Sequence, residues 1–272
     1  MKTLLVVVIV LSLLLGGTAL AQRELVLTEK VLIPMHVGRF PGALGSDWEI
    51  SLALTNLSGE RITVGGPTGA ICPPILCPYI PAEISPQATV NVPQMITSSQ
   101  VPAAFFRTEP GKSHNLAITL RSQDLSRQGE TWGSVVPVIR EADLFSRRFA
   151  LTDIPVQAQF RAMLRLYDVD PATPPQVRVR VYKVDPLQSV FNAPQESDEL
   201  LLEFQPVFTI PSSESNKFWF PAYAQVALGL DDSLAGAERI RVEVEPLDGR
   251  ADYWAFVSVT HNETQHVTII TP

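Results

Sequence analysis

Along most of the chain, apolar and polar residues alternate one by one. Trp48, Ile50, Leu52 and Leu54 alternate with Glu49, Ser51, Ala53 and Thr55. Val177, Val179 and Val181 alternate with Arg178, Arg180 and Tyr182, and Ile240, Val242 and Val244 with Arg241, Glu243 and Glu245. A period of two marks a strand with one buried face and one wet face, because successive side chains point to opposite sides. Turn formers separate these runs: Asn56-Leu-Ser-Gly59, Gly65-Gly-Pro67, Glu109-Pro-Gly111, Asp170-Pro171 and Leu247-Asp-Gly249. Only two short segments, Ala222–Leu230 and Gln94–Gln100, read as helical. Many short strands with regular turns predict an all-β protein, a sandwich or a barrel of antiparallel strands.

The pattern also repeats. Asp47–Asn56 aligns with Gln159–Asp168: each has an aromatic residue, then Leu-x-Leu, then a turn former. Ile84-Ser-Pro ahead of Val92-Pro93 aligns with Ile210-Pro-Ser ahead of Phe220-Pro221. Glu109-Pro110 ahead of Leu116-Ala-Ile-Thr aligns with Glu245-Pro246 ahead of Trp254-Ala-Phe-Val. Both halves close on a β-rich run ending in proline, Val135-Val-Pro137 and Ile269-Ile-Thr-Pro272. Four matches in one order predict two copies of a β-sandwich domain, residues 22–140 and 149–272, with 141–148 as a charged linker. One larger β-domain with chance matches is the other reading.

The segment Pro41-Gly-Ala-Leu-Gly-Ser-Asp-Trp-Glu-Ile-Ser-Leu-Ala-Leu-Thr-Asn-Leu-Ser58 resembles the N-terminal signature of a group of uncharacterised exported bacterial proteins. The closing stretch Tyr253–Pro272 is similar to the final hairpin of that group, with His261 where the group usually has Asp. The resemblance implies two tandem immunoglobulin-like β-sandwich domains and no catalytic residues.

Composition adds a compartment. Residues 1–21 carry Lys2, an apolar run from Leu4 to Leu15, and the small-x-small triplet Ala19-Leu20-Ala21. That is the form of a signal peptide, cleaved before Gln22. The apolar run is shorter than the ~20 residues that span a bilayer, and no later stretch is long and apolar enough. The expectation is an exported protein, periplasmic or extracellular, with no membrane span after cleavage. In an oxidising compartment Cys72 and Cys77, close in sequence within CPPILCP, read as a disulfide. The net charge of −7 leaves no basic footprint for nucleic acid. The 23 prolines exclude a helical bundle, since proline breaks helix interiors.

No nucleophile elbow, zincin motif, P-loop, dinucleotide fingerprint or calcium loop occurs. The reading is therefore no catalytic residue, no metal site and no cofactor. Asp168-Val-Asp170-Pro171 reads as a turn with surface carboxylates, and His261 and His266 flank a hairpin turn on Asn262-Glu-Thr264. Arginines on strand faces (Arg161 and Arg165, Arg178 and Arg180, Arg239 and Arg241) predict cross-strand ion pairs or, alternatively, an anion-binding face. The function expected is non-enzymatic interaction with a protein or glycan at the cell surface. The alternative is a carbohydrate-binding or carbohydrate-active protein. Its candidate stacking residues are Trp219, Tyr223, Tyr253, Trp254 and Trp132, with core or interface packing as the competing role for each.

Overall fold

A computed structural model describes residues 27–42, 45–66, 82–92, 95, 102–127, 133–184, 199–229, 234 and 236–272. The signal peptide, Cys72, Cys77 and Trp132 lie outside the described residues. So does most of the Gln94–Gln100 segment.

The described chain is all-β and its sheets are antiparallel and open. The first half holds β1 (Glu29–Ile33), β2 (Gly38–Pro41), β3 (Asp47–Asn56), β4 (Ile62–Gly65), β5 (Ala82–Ile84), β6 (Thr89–Val92), β7 (Ala104–Thr108), β8 (Leu116–Asp124), β9 (Ser134–Val136) and β10 (Ile139–Arg140). They form one sheet ordered β10-β1-β7-β4-β5 and another ordered β2-β3-β8-β9, where β6 shares with β2 the free edge of β3. The second half holds β11 (Phe149–Pro155), β12 (Phe160–Asp168), β13 (Val177–Lys183), β14 (Leu200–Phe204), a short helix α1 (Glu214–Trp219), β15 (Ala222–Leu228), β16 (Arg239–Pro246), β17 (Tyr253–His261) and β18 (Val267–Ile270). Its sheets are ordered β11-β16-β13-β14 and β15-β12-β17-β18.

The two halves share one topology. Replacing β11, β12, β13, β14, β15, β16, β17 and β18 by β1, β3, β4, β5, β6, β7, β8 and β9 reproduces both sheet orders, with β2 and β10 as extra strands of the first half. Registers agree as well. Leu52 sits between Val92 and Leu120, as Leu164 sits between Val226 and Val257. Phe106 faces Val31 as Val242 faces Leu151.

These registers correct two of the sequence alignments. Val92 corresponds to Val226 rather than Phe220, because α1 is inserted ahead of β15. Leu116 corresponds to Tyr253 rather than Trp254, since these residues face Asn56 and Asp168 at the equivalent strand ends. A slip of one residue reverses the face of every side chain. Trp254 therefore points out of its own sandwich.

Each half builds its core from its alternating residues. Ile50, Leu52 and Leu54 of β3 are buried with Leu120 of β8, and Leu164 and Leu166 of β12 with Val257 of β17. Ala222–Leu228 is a strand, not a helix: its residues alternate and it pairs along the edge of β12. Phe218 and Trp219 belong to α1. The predicted junction is a short 3-10 turn over Glu141–Asp143, after which Phe145 bridges to Tyr253 and stacks on Phe149 with ring centroids 4.4 Å apart.

The apolar cluster of the first half reaches across to the second. Leu164, Leu166 and Val257 face the second core, so Tyr167, Trp254 and Phe256 face outward from the same sheet. They are buried nonetheless, together with Tyr223, in the apolar cluster of the first half. β7 is buried along its whole length, and Leu32 and Val31, neighbours on β1, are both inaccessible. Such two-faced burial occurs where a strand is covered on both sides. Polar bonds fix the seam: Tyr167 donates its hydroxyl to the Pro34 carbonyl at 2.6 Å, and Lys30 Nζ donates to the Val169 carbonyl at 2.9 Å. Arg107 donates to the Phe218 carbonyl at 2.8 and 3.1 Å and lies over the Phe218 ring, 3.7 Å from its centroid.

Candidate functional site

The sequence-nominated aromatics come together, but inside the seam. Tyr167 lies 5.4 Å from Tyr223 and 6.1 Å from Trp254, and Trp254 lies 5.5 Å from Phe256, measured between ring centroids. Tyr223 and Trp254 are 6% and 5% exposed, so neither offers a ring face to a solvent-borne sugar. Burial pushes the Tyr167 and Tyr223 phenols above the ordinary tyrosine value. Tyr253 belongs to the second core. Trp219 is half-buried at the end of α1, edge-on to Phe218.

Beyond the aromatic end, the same outward face of β12 and β17 opens into a cleft of about 260 Å³. The first half contributes Met35, Phe40, Trp48 and Ser122; the second contributes Arg161, Met163, Arg165, Ser258, Thr260, Gln265 and Val267. Arg161, Met163 and Arg165 share one face of β12 because they are spaced by two. Phe40 pairs with Trp48 across β2 and β3. Gly42 is required beside them: any side chain there would collide with the Trp48 indole and the Ser46 hydroxyl. His36 packs edge-on against Phe40 at 5.7 Å, and partial burial lowers its pKa, which favours neutral imidazole.

The electrostatics of the cleft differ from those of the sheet that holds β13, β14 and β16. Arg178 and Arg180 on β13 form the predicted ladder with Glu203 of β14 and Glu245 of β16 at 2.7–3.7 Å. Arg241 pairs with Glu243, and Arg239 with Asp153. Arg161 and Arg165 belong to the other sheet and take no part. Arg161 donates to Gln265 Oε1 at 2.8 Å. Arg165 donates to Ser258 Oγ at 2.5 Å and lies 5.3 Å from the centroid of the Phe256 ring. Among the described residues their partners are neutral. Two positive charges therefore stand in a half-enclosed cleft with apolar walls, where screening by water is reduced.

The Asp168 corner is a buried charge network, and it corrects the surface-turn reading. Asp168 is fully buried. Arg250 Nη2 reaches Asp168 Oδ2 at 2.7 Å and the Tyr253 hydroxyl at 2.7 Å, while its Nε reaches Asp248 Oδ2 at 2.9 Å. The Asp170 amide donates to Asp168 Oδ1 at 2.8 Å. Burial raises Asp168 to about 7, with that amide and Arg250 pulling the other way. Gly249, with φ near +72°, provides the left-handed turn that delivers Arg250 to this corner.

The His261–His266 hairpin is also structural. His261 Nδ1 accepts from the Glu263 and Thr264 amides at 3.3 Å, and its ring packs edge-on against Phe160. Among the described residues no group of His, Cys, Asp and Glu is placed to hold a metal ion. No helix among them is long and apolar enough to cross a membrane.

Sequence reasoning flagged Arg161 and Arg165 but missed Trp48, Phe40 and Gln265 as their neighbours. One signal was present: the outward side of β12 reads Arg161, Met163, Arg165, Tyr167, a mixture that suits neither open solvent nor a dry core. With this geometry established, comparison with known proteins returns no match to any family model, curated protein or solved structure.

Proposed function

We propose that this chain is an exported, non-enzymatic recognition protein whose two sandwiches are held together to form one composite ligand cleft. The carrying observation is that the cleft draws Met35, Phe40 and Trp48 from one half and Arg161 and Arg165, on one face of β12, from the other. A ligand there would require both halves in register, and the buried aromatic seam supplies that rigidity. The two sandwiches are read as immunoglobulin-like. Each keeps its second strand with its fifth and its third with its sixth, as immunoglobulin domains do, while the last hairpin lies beside the second strand instead of the sixth. Export follows from the signal-peptide pattern of residues 1–21.

The test uses the mature protein on an array of extracellular glycans and peptides, in parallel with Ser258→Trp, which fills the cleft from the β17 side. Binding that is lost in Ser258→Trp, without release of cleaved fragments, is the expected result. Binding unaffected by the filled cleft, or catalytic turnover of an arrayed glycan, would overturn the reading. Intact mass of the exported chain, alkylated without reductant, checks two further expectations: a start at Gln22 and no label on Cys72 or Cys77.

A further inference from the structure

The chemistry of the cleft narrows its ligand class, and this step rests on the recognition reading above. We infer that the cleft binds an acidic sugar: a hexuronic acid residue whose carboxylate lies with Arg161 and Arg165 and whose ring packs against Trp48. Charge, lining chemistry and size all point to this ligand.

The first is charge. Arg161 and Arg165 are held by neutral partners, Gln265 and Ser258, among the described residues. By contrast, Arg178, Arg180, Arg239, Arg241 and Arg250 all have carboxylates within ion-pair distance. A guanidinium fixed by neutral hydrogen bonds keeps its charge available, and its planar donors suit a carboxylate.

The second is the remaining lining. Ser122, Ser258, Thr260 and Gln265 bring neutral hydroxyl and amide groups, which match a polyhydroxylated ligand. Ser258 and Gln265 are already engaged by Arg165 and Arg161, but a fatty acid would cover the Ser122 and Thr260 hydroxyls without offering them a partner, at a cost in affinity. Trp48, with Phe40 and Met163 nearby, gives the apolar surface that one face of a pyranose needs.

The third is size. About 260 Å³ is below the usual range of drug-sized pockets and suits a single ring, with the open side free for chain continuation. Arg161 and Arg165 are four residues apart on one strand, roughly 13 Å between Cα atoms. Arg165 leans back to Ser258, the cross-strand partner of Met163, which carries its guanidinium toward the Arg161 side and lets one carboxylate meet both charges.

The experiment is an NMR titration of the isotope-labelled mature chain, following the arginine Nε–H and tryptophan indole N–H resonances. The probes are sodium D-glucuronate, D-glucose and sodium benzoate at equal ionic strength. Glucuronate is expected to shift the Arg161, Arg165 and Trp48 signals, with an affinity that falls as salt rises. Arg165→Gln should weaken it at least tenfold, and Arg165→Lys should restore part of the loss by keeping the charge. Unfolding curves that match wild type exclude a folding defect in either variant.

Equal shifts with glucose would overturn the acidic preference and leave the composite cleft standing. Stronger shifts with benzoate than with glucuronate would overturn the sugar assignment. Absence of shifts with all three probes would overturn the inference, while array binding sensitive to Ser258→Trp would still uphold the recognition reading.

Discussion

The ends of β3 and β12 are equivalent corners that solve one problem in two ways. Asn56 and Asp168 close matching strands, and both side chains are inaccessible to water. Asn56 satisfies itself locally. Its amide donates to the Glu60 carbonyl at 2.7 Å and the Ile84 carbonyl at 3.0 Å, while its oxygen accepts from the Ser58 amide and hydroxyl. Asp168 has no donor when ionised, so it requires a cation from elsewhere, and Arg250 arrives from the turn between β16 and β17. One corner is held by a neutral side chain within its own neighbourhood; the other depends on a residue 82 positions away. The same fold position can thus carry a robust corner or one that responds to pH.

Several substitutions break or sharpen that contrast. The largest effect is expected for Arg250→Ala, which leaves Asp168 buried without its cation and frees Asp248. The loss should be about 3–5 kcal/mol in denaturant unfolding, and Asp168→Asn in the same chain should recover part of it. Next comes Asn56→Asp, which imports the charge of the second corner without its arginine. It removes two donated hydrogen bonds and should cost on the order of 2–3 kcal/mol.

Asp168→Asn alone should cost about 1 kcal/mol near pH 5 and should change the pH profile. The Asp168 carboxyl is raised from 3.8 to about 7, so the folded state favours its protonated form. Its contribution is fully present below about pH 4 and is lost as pH rises through 7. The wild-type melting temperature should therefore fall relative to Asp168→Asn between pH 4 and 7, and parallel profiles would contradict the assignment. The smallest effect belongs to the exposed ladder: Glu203→Gln should cost below about 1 kcal/mol and less at high salt.

The Asn56 corner also settles a sequence motif. Asn56-Leu-Ser58 has the form of a glycosylation acceptor, yet the Asn56 amide is buried and bonded to two carbonyls. It is a turn device.

Much of the fold was legible because period-2 alternation is a local property. β3, β12, β13 and β16 fall where Leu-x-Leu and Val-x-Val runs stand, and the turns at Glu109-Pro-Gly111 and Leu247-Asp-Gly249 use glycines with positive φ. Ala222–Leu228 misled because alanine, glutamine and leucine favour helix, while its place beside β12 decides for strand. The candidate site was only half legible. Arg161 and Arg165 were visible as strand arginines, but nothing local shows that Trp48 lies across from them or that Trp254 is covered.

The sequence by itself determined an all-β chain with a duplicated strand order and an export-type leader pattern, because each depends on spacing, side-chain period or composition over a few residues. The tertiary structure alone decided which face of each strand is dry. It buried Tyr167, Tyr223 and Trp254 in a seam between the halves, sent Arg250 to Asp168, and gave Arg161 and Arg165 neutral partners among the described residues, in a cleft shared with Trp48. The Arg250–Asp168 pair depends on how the second half closes on itself, and the seam and the cleft on how the two halves meet, which brings together residues more than a hundred positions apart, such as Tyr167 and Pro34, whose patterns carry no record of one another.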